Sequence, residues 1–158
     1  EILSDRWNLI IYLHSIRNVL QKNGVSRVRL RLHPSESADW YRSFLTGNFF
    51  QFDQTSLENS ISKATLVIGP TSTVFIESLM AGVNYLVYEP LFNGRDLMNY
   101  PLVPPFDGSE PDIPAAHTEK SLQRLLSDRK TVGSTVIPRY IKPSLDLSPI
   151  KTILVSQH

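Results

Sequence analysis

The segment Ala64–Pro90, ATLVIGPTSTVFIESLMAGVNYLVYEP, constrains the fold more than any other part of the chain. Leu66-Val67-Ile68 is a short apolar run closed by Gly69-Pro70, as expected of a strand covered on both faces. Thr71-Ser72-Thr73 places three hydroxyls where a helix should start. That helix carries Phe75, Leu79 and Met80 and should stop near Gly82, and Tyr85-Leu86-Val87-Tyr88 reads as the next strand. Strand, tight turn, helix and strand in this order make a crossover unit, so the two strands should lie parallel.

The same alternation extends upstream. Leu9, Ile10, Leu13, Ile16, Val19 and Leu20 fall on one helical face within Arg6–Asn23, with Asp5 as the expected N-cap and Gly24 as the stop. Val25–Leu32 reads as a strand ending in His33-Pro34, and Ser35 should cap a helix over Glu36–Leu45. Phe49–Phe52 reads as a third strand and Ser56 as the cap of a short helix through Leu57 and Ile61. No pair of strands carries a hairpin signal. The pattern therefore predicts an α/β fold with a doubly wound parallel sheet, a Rossmann-like arrangement in one domain spanning 1–158. Such a sheet ordinarily begins with a strand, whereas this chain begins with a helix. Its first strand is either missing or compressed into the first few residues, and a start inside an apolar phrase without Met suggests a piece of a longer polypeptide.

Downstream, Pro101, Pro104, Pro105, Pro111 and Pro114 make 91–116 a long loop. Thr118 should cap a helix reaching about Leu126, and Ser148-Pro149 should open a last amphipathic segment. At 158 residues, with 41% apolar and 20% charged side chains, the chain suits one domain with a real core. Its net charge of +1 gives no electrostatic case for nucleic acid, and no apolar run approaches membrane-spanning length. The absence of cysteine excludes thiol chemistry and disulfides and suits a reducing compartment.

Candidate site residues gather at the expected carboxyl ends of the strands, where open parallel sheets bind ligands. A helix needs only one capping hydroxyl, so Thr71, Ser72 and Thr73 together offer more than capping requires, and a helix N-terminus favours anions. Glu77 lies four residues after Thr73 on the same face, one turn along. A capping-box acid would sit three residues after the cap, so capping explains Glu77 poorly. A phosphate at Thr73 would leave a ribose about 5–6 Å further along, within reach of this carboxylate. Against this stands the plain alternative of a surface glutamate. His33 projects from a strand end before a Pro, and Glu89 follows a strand on the same edge; a histidine bonded to a local carbonyl is the alternative for His33. Asp107, Glu110 and Asp112 in the loop read as solvated. Arg27, Arg29 and Arg31 alternate along one strand, which fits arginines in water or paired with carboxylates, or a face covered by another domain. No His/Asp/Glu cluster has metal-ligand spacing, and neither a dinucleotide fingerprint nor a P-loop occurs.

Arg31-Leu32-His33-Pro34, Ala64–Thr73 and Glu77-Ser78-Leu79-Met80-Ala81-Gly82-Val83 together resemble the donor-binding, C-terminal half of GT-B glycosyltransferases. The likeness covers about Val28–Pro90 and is nearest to bacterial enzymes of capsule, lipopolysaccharide and teichoic-acid assembly. The resemblance implies that His33, Ser72 and Thr73 bind the donor's phosphates, with His33 stabilising the leaving phosphate, and that Glu77 holds the ribose. It implies a nucleotide-sugar substrate (CMP-, CDP- or UDP-linked), no separate cofactor, and metal-independent inverting transfer to a glycan or lipid-linked acceptor. That acceptor would be held by an N-terminal domain that is absent here, as is the glycine-containing loop after the first strand, so the fragment should be inactive alone. A cytoplasmic location, peripheral to the inner membrane through the full-length protein, goes with that reading. A sugar-nucleotide epimerase of the same architecture and a non-catalytic flavodoxin-like module are the alternatives.

Overall fold

A computed structural model describes residues 2–96 and 100–140, with side chains from Arg6 onward. The expected amphipathic segment at 148–154 lies outside the described residues. The elements run α1 (Ile2–Lys22), β1 (Val28–Leu30), α2 (Ala38–Phe44), β2 (Phe50–Phe52), α3 (Leu57–Ser62), β3 (Leu66–Gly69), α4 (Thr73–Met80), β4 (Asn84–Tyr88), β5 (Ala115–Ala116), α5 (Glu119–Ser127), a 3₁₀ turn (Ser134–Val136) and α6 (Ile137–Tyr140).

The α/β alternation holds and every strand pairing is parallel, but the strands divide into two sheets. One joins β1 to β2, with Val28 opposite Phe50 and Leu30 opposite Phe52. The other has the order β3-β4-β5, with Leu66 opposite Asn84 and Val87 opposite Ala115. An antiparallel bridge adds Val132 to Tyr85, through N–H···O bonds of 2.9 and 2.7 Å.

Strand β4 explains the layering. Tyr85, Leu86, Val87 and Tyr88 are at most 1% exposed, and alternate side chains leave the sheet on opposite sides. Leu86 and Tyr88 join Ile10, Leu13, Ile16 and Val19 of α1 and Leu122 and Leu125 of α5 in one cluster. Tyr85 and Val87 join Phe75 and Leu79 of α4 with Ile113, Val132 and Val136 in another. Helices therefore cover both faces of the three-stranded sheet. The α1–α5 pair is tied by reciprocal Asn23–Gln123 side-chain bonds of 2.9 Å, and the Ser15 hydroxyl bonds the Tyr88 hydroxyl.

Several local expectations need correction. Helix α1 begins by Ile2, so Asp5 lies within it rather than capping it; the apolar stripe favours more turns than the polar start suggested. Strand β1 is three residues long, not eight: only Val28–Leu30 pair with β2, and Val25–Arg27 and Arg31–Leu32 lie outside the ladder. Ser35 does not cap α2. Its hydroxyl meets His33 Nδ1 at 2.7 Å, and the helix starts three residues later behind Ser37. The loop contains a strand, β5, too short at two residues to show a period. Glu110 and Asp112 are not simply solvated: both pair with Arg139. By contrast Ser56 caps α3 through Asn59 N–H, and Thr118 caps α5 in a reciprocal box with Ser121. Gly24 and Gly82 end their helices at φ +77° and +74°, where a Cβ would be strained.

This layering predicts a sharp contrast between sites. Leu86→Ala should cost about 2–5 kcal/mol in urea unfolding. Ile76→Ala, on the outer face of α4 at 38% exposure, should stay within about 0.5 kcal/mol of the wild type.

Candidate functional site

The hydroxyl turn follows β3 and opens α4. Ser72 is the N-cap, with φ −158° and ψ 171°, yet its side chain makes no capping bond. Thr71, Ser72 and Thr73 are all exposed, and the first N–H groups of a helix lack intrahelical partners. The turn thus places three exposed hydroxyl-bearing residues at the positive end of a helix, with the Ser72 hydroxyl also hydrogen-bonded to the Tyr85 phenol.

Two buried groups fix it from behind. Glu89, just past β4 and 2% exposed, accepts the Thr71 N–H at 2.7 Å. The Tyr85 hydroxyl donates to the Pro70 carbonyl at 2.8 Å. Burial pushes that phenol's pKa above its ordinary value, which keeps it a neutral donor. A Cβ on Gly69 would run into the Tyr85 hydroxyl, so the glycine is required for close approach rather than for an unusual φ. Glu89 in turn is anchored at its backbone: its N–H donates to Ala116 O at 2.8 Å, and its carbonyl faces His117 Nδ1 at 2.9 Å. The other ring nitrogen of His117 lies 3.1 Å from Asp107 O, which ties the proline-rich loop to the same sheet edge. Glu77 is exposed on α4, one turn beyond Thr73.

His33 sits elsewhere on the strand ends, in a pocket of about 300 Å³ beside Glu36, Phe52 and Asp53 at the carboxyl ends of β1 and β2. Its backbone N–H donates to Glu36 Oε2 at 3.0 Å, and the other carboxylate oxygen of Glu36 accepts from the Tyr41 hydroxyl. The ring is exposed. Asp53 accepts both the hydroxyl (2.7 Å) and the N–H (2.9 Å) of Thr55 and pairs with Arg29 at 3.4 Å. Those Thr55 bonds first, then Ser60 and Arg29, hold its carboxyl down at about 2. Arg31 donates to the Thr55 carbonyl, so the arginine row is accounted for by polar partners and solvent at this edge.

The structure therefore gathers Thr71, Ser72, Thr73, Glu77 and Glu89 around one turn, Glu89 as its buried support. It places His33 in a separate pocket, held by its own hydrogen-bond set. Glu36, Tyr85 and His117 were missed as site residues. Glu36, three residues after His33, could have been found as the acid that closes a turn back onto that N–H. Tyr85 and His117 act through tertiary contacts that leave no local signal. Among the described residues, no group of three or more His, Asp or Glu could hold a metal, and no helix is long and apolar enough to cross a membrane. No family model, curated protein or solved structure matches the chain.

Two outcomes follow from this geometry. Gly69→Ala should destabilise the chain by about 1–3 kcal/mol, by overpacking against a ring that is itself buried, and should loosen the amide of Thr71 in hydrogen exchange. For Asp53, the folded pKa lies below the unfolded value of about 3.9. Its contribution is present above that value and is lost as pH falls towards about 2. The urea midpoints of wild type and Asp53→Asn should thus be separated at pH 6 and converge as the pH is lowered through about 4 to 2.

Proposed function

We propose that this chain is the donor-nucleotide-binding domain of a glycosyltransferase, a Rossmann-like half of a two-domain enzyme that uses a nucleotide-activated sugar in surface-polysaccharide synthesis. One observation carries the reading. The N-terminal turn of α4 is held from behind by Glu89 and Tyr85, while Thr71, Ser72 and Thr73 are exposed and the Ser72 hydroxyl turns to the Tyr85 phenol instead of capping the helix. A turn built only to start a helix would spend one of those hydroxyls on its own N–H groups. A turn kept open at the carboxyl end of a parallel strand is suited to phosphate oxygens.

On this reading Ser72 and Thr73 donate to the phosphates, and the amides of the first turn add the helix's positive end. Thr71 contributes its hydroxyl, its N–H being taken by Glu89. Glu77 accepts from the neutral ribose rather than approaching the phosphate, where like charges would repel. His33 would stabilise the leaving phosphate, an electrostatic task that needs the donor to span from the α4 turn towards the β1–β2 pocket. The buried carboxylate of Glu89 supports the turn and does not contact the donor.

Affinities of CMP, UDP and inorganic phosphate, measured by NMR titration, test the reading. Glu77→Gln should weaken the nucleotides by about 1.5–3 kcal/mol and leave inorganic phosphate nearly unchanged. Thr73→Val should weaken all three. Equal nucleotide affinity in wild type and Glu77→Gln would remove the ribose assignment, and no binding of any of the three would remove the proposal.

A further inference from the structure

The two sheets face each other across a cleft of about 570 Å³, bounded by 27–31 on the β1 side and 65–68 on the β3 side. Tyr12, Leu13, Ile16 and Leu20 of α1 cover it from one face, and Leu57 and Ile61 of α3 line it as well. Both bordering strands turn unpaired edges towards it. On β1, the Val28 N–H and the Leu30 carbonyl are bonded to the β2 side, at 2.8 and 2.9 Å. The alternation of a strand then aims the N–H and C=O of Arg29 into the cleft. On β3, Leu66, Val67 and Ile68 are only half-buried, whereas Tyr85–Tyr88 of the neighbouring β4 are closed off. An apolar parallel strand exposed in this way is incomplete on one side.

The directions agree. Tyr12 stacks on Tyr88 at the carboxyl end of β4, with ring centroids 5.3 Å apart. From there α1 continues to its stop at Gly24 and the chain enters β1, a return that suits a β1 running parallel to β3 and β4. One polar group also waits in this wall: the hydroxyl of Tyr12, buried and lining the cleft, has no hydrogen-bond partner. An orphan of this kind is uncommon in a finished core.

We infer that the cleft between β1 and β3 is the seat of a further parallel strand, an apolar extended segment on the polypeptide directly ahead of α1, which completes a six-stranded sheet. The order would be β2-β1-new strand-β3-β4-β5, the 3-2-1-4-5-6 order of a doubly wound sheet. The new strand, α1 and β1 would form one right-handed crossover, with α1 already lying over the gap it would bridge. Because residues of both α1 and α3 line the cleft, the segment should be apolar on both faces, and its backbone should pair with Arg29 on one side and β3 on the other. The inference does not depend on the glycosyltransferase reading.

The test is an extension of five Val/Ile residues and a Gly-Ser turn fused ahead of Glu1, compared with the unextended chain and with an extension in which alternate positions are Asp. Hydrogen exchange is read by NMR at low protein concentration. The apolar extension should slow the Arg29 amide and alternate β3 amides by about 100-fold or more, and the Asp-bearing one should not. It should also reverse the effect of Tyr12→Phe, which is expected to raise the Tm of the unextended chain and to lower that of the extended one. Exchange at Arg29 unchanged by the apolar extension would overturn the inference. So would protection already present in the unextended chain that grows with concentration, since a second copy would then fill the cleft.

Discussion

The burial of β4 on both faces is the constraint on which the rest depends. Four consecutive residues, Tyr85–Tyr88, have almost no contact with solvent. Such a strand must be paired on both edges and covered on both sides, and β3, β5, α1, α4 and α5 supply that cover. Its alternating side chains divide the core into two clusters. Tyr88 reaches α1, while Tyr85 reaches past Gly69 to the turn before α4.

The candidate site is a by-product of the same strand. Its residues form a turn whose shape is set by what lies beneath it: Glu89 at the end of β4 and the Tyr85 hydroxyl within it. A carboxylate buried behind a loop and bonded to its backbone N–H fixes that loop's geometry. The antiparallel Tyr85–Val132 bridge and the His117 contacts then brace the same edge from the far end of the chain. The exposed residues 71–73 and the support beneath them are the observations on which the proposed phosphate role rests.

Much of this was legible in the residues. The run 66–69, the glycine at 82 and the run 85–88 gave the crossover unit, because a doubly buried strand leaves an unbroken apolar phrase. Thr118 and Ser56 were legible as caps because a cap acts within three residues. What was not legible depended on distance. Ser35 has the right chemistry for a cap, but His33 competes for its hydroxyl. Glu89 reads from its place after a strand as a binding residue at the sheet edge, and only the structure shows it buried behind Thr71. The division into two sheets is not written in any single strand's pattern, although the helix-first order of elements already pointed to a strand missing from the sheet.

The central claim is that the turn at Thr71–Thr73 takes the phosphate of a nucleotide. Amide chemical-shift mapping during titration with UDP and with CMP tests it most directly, because it reports position as well as binding. The account predicts that the largest shifts fall on Ser72, Thr73 and Val74, with Glu77 following for the nucleotides but not for inorganic phosphate. Shifts centred away from α4, with the 71–77 amides unmoved at saturation, would contradict it.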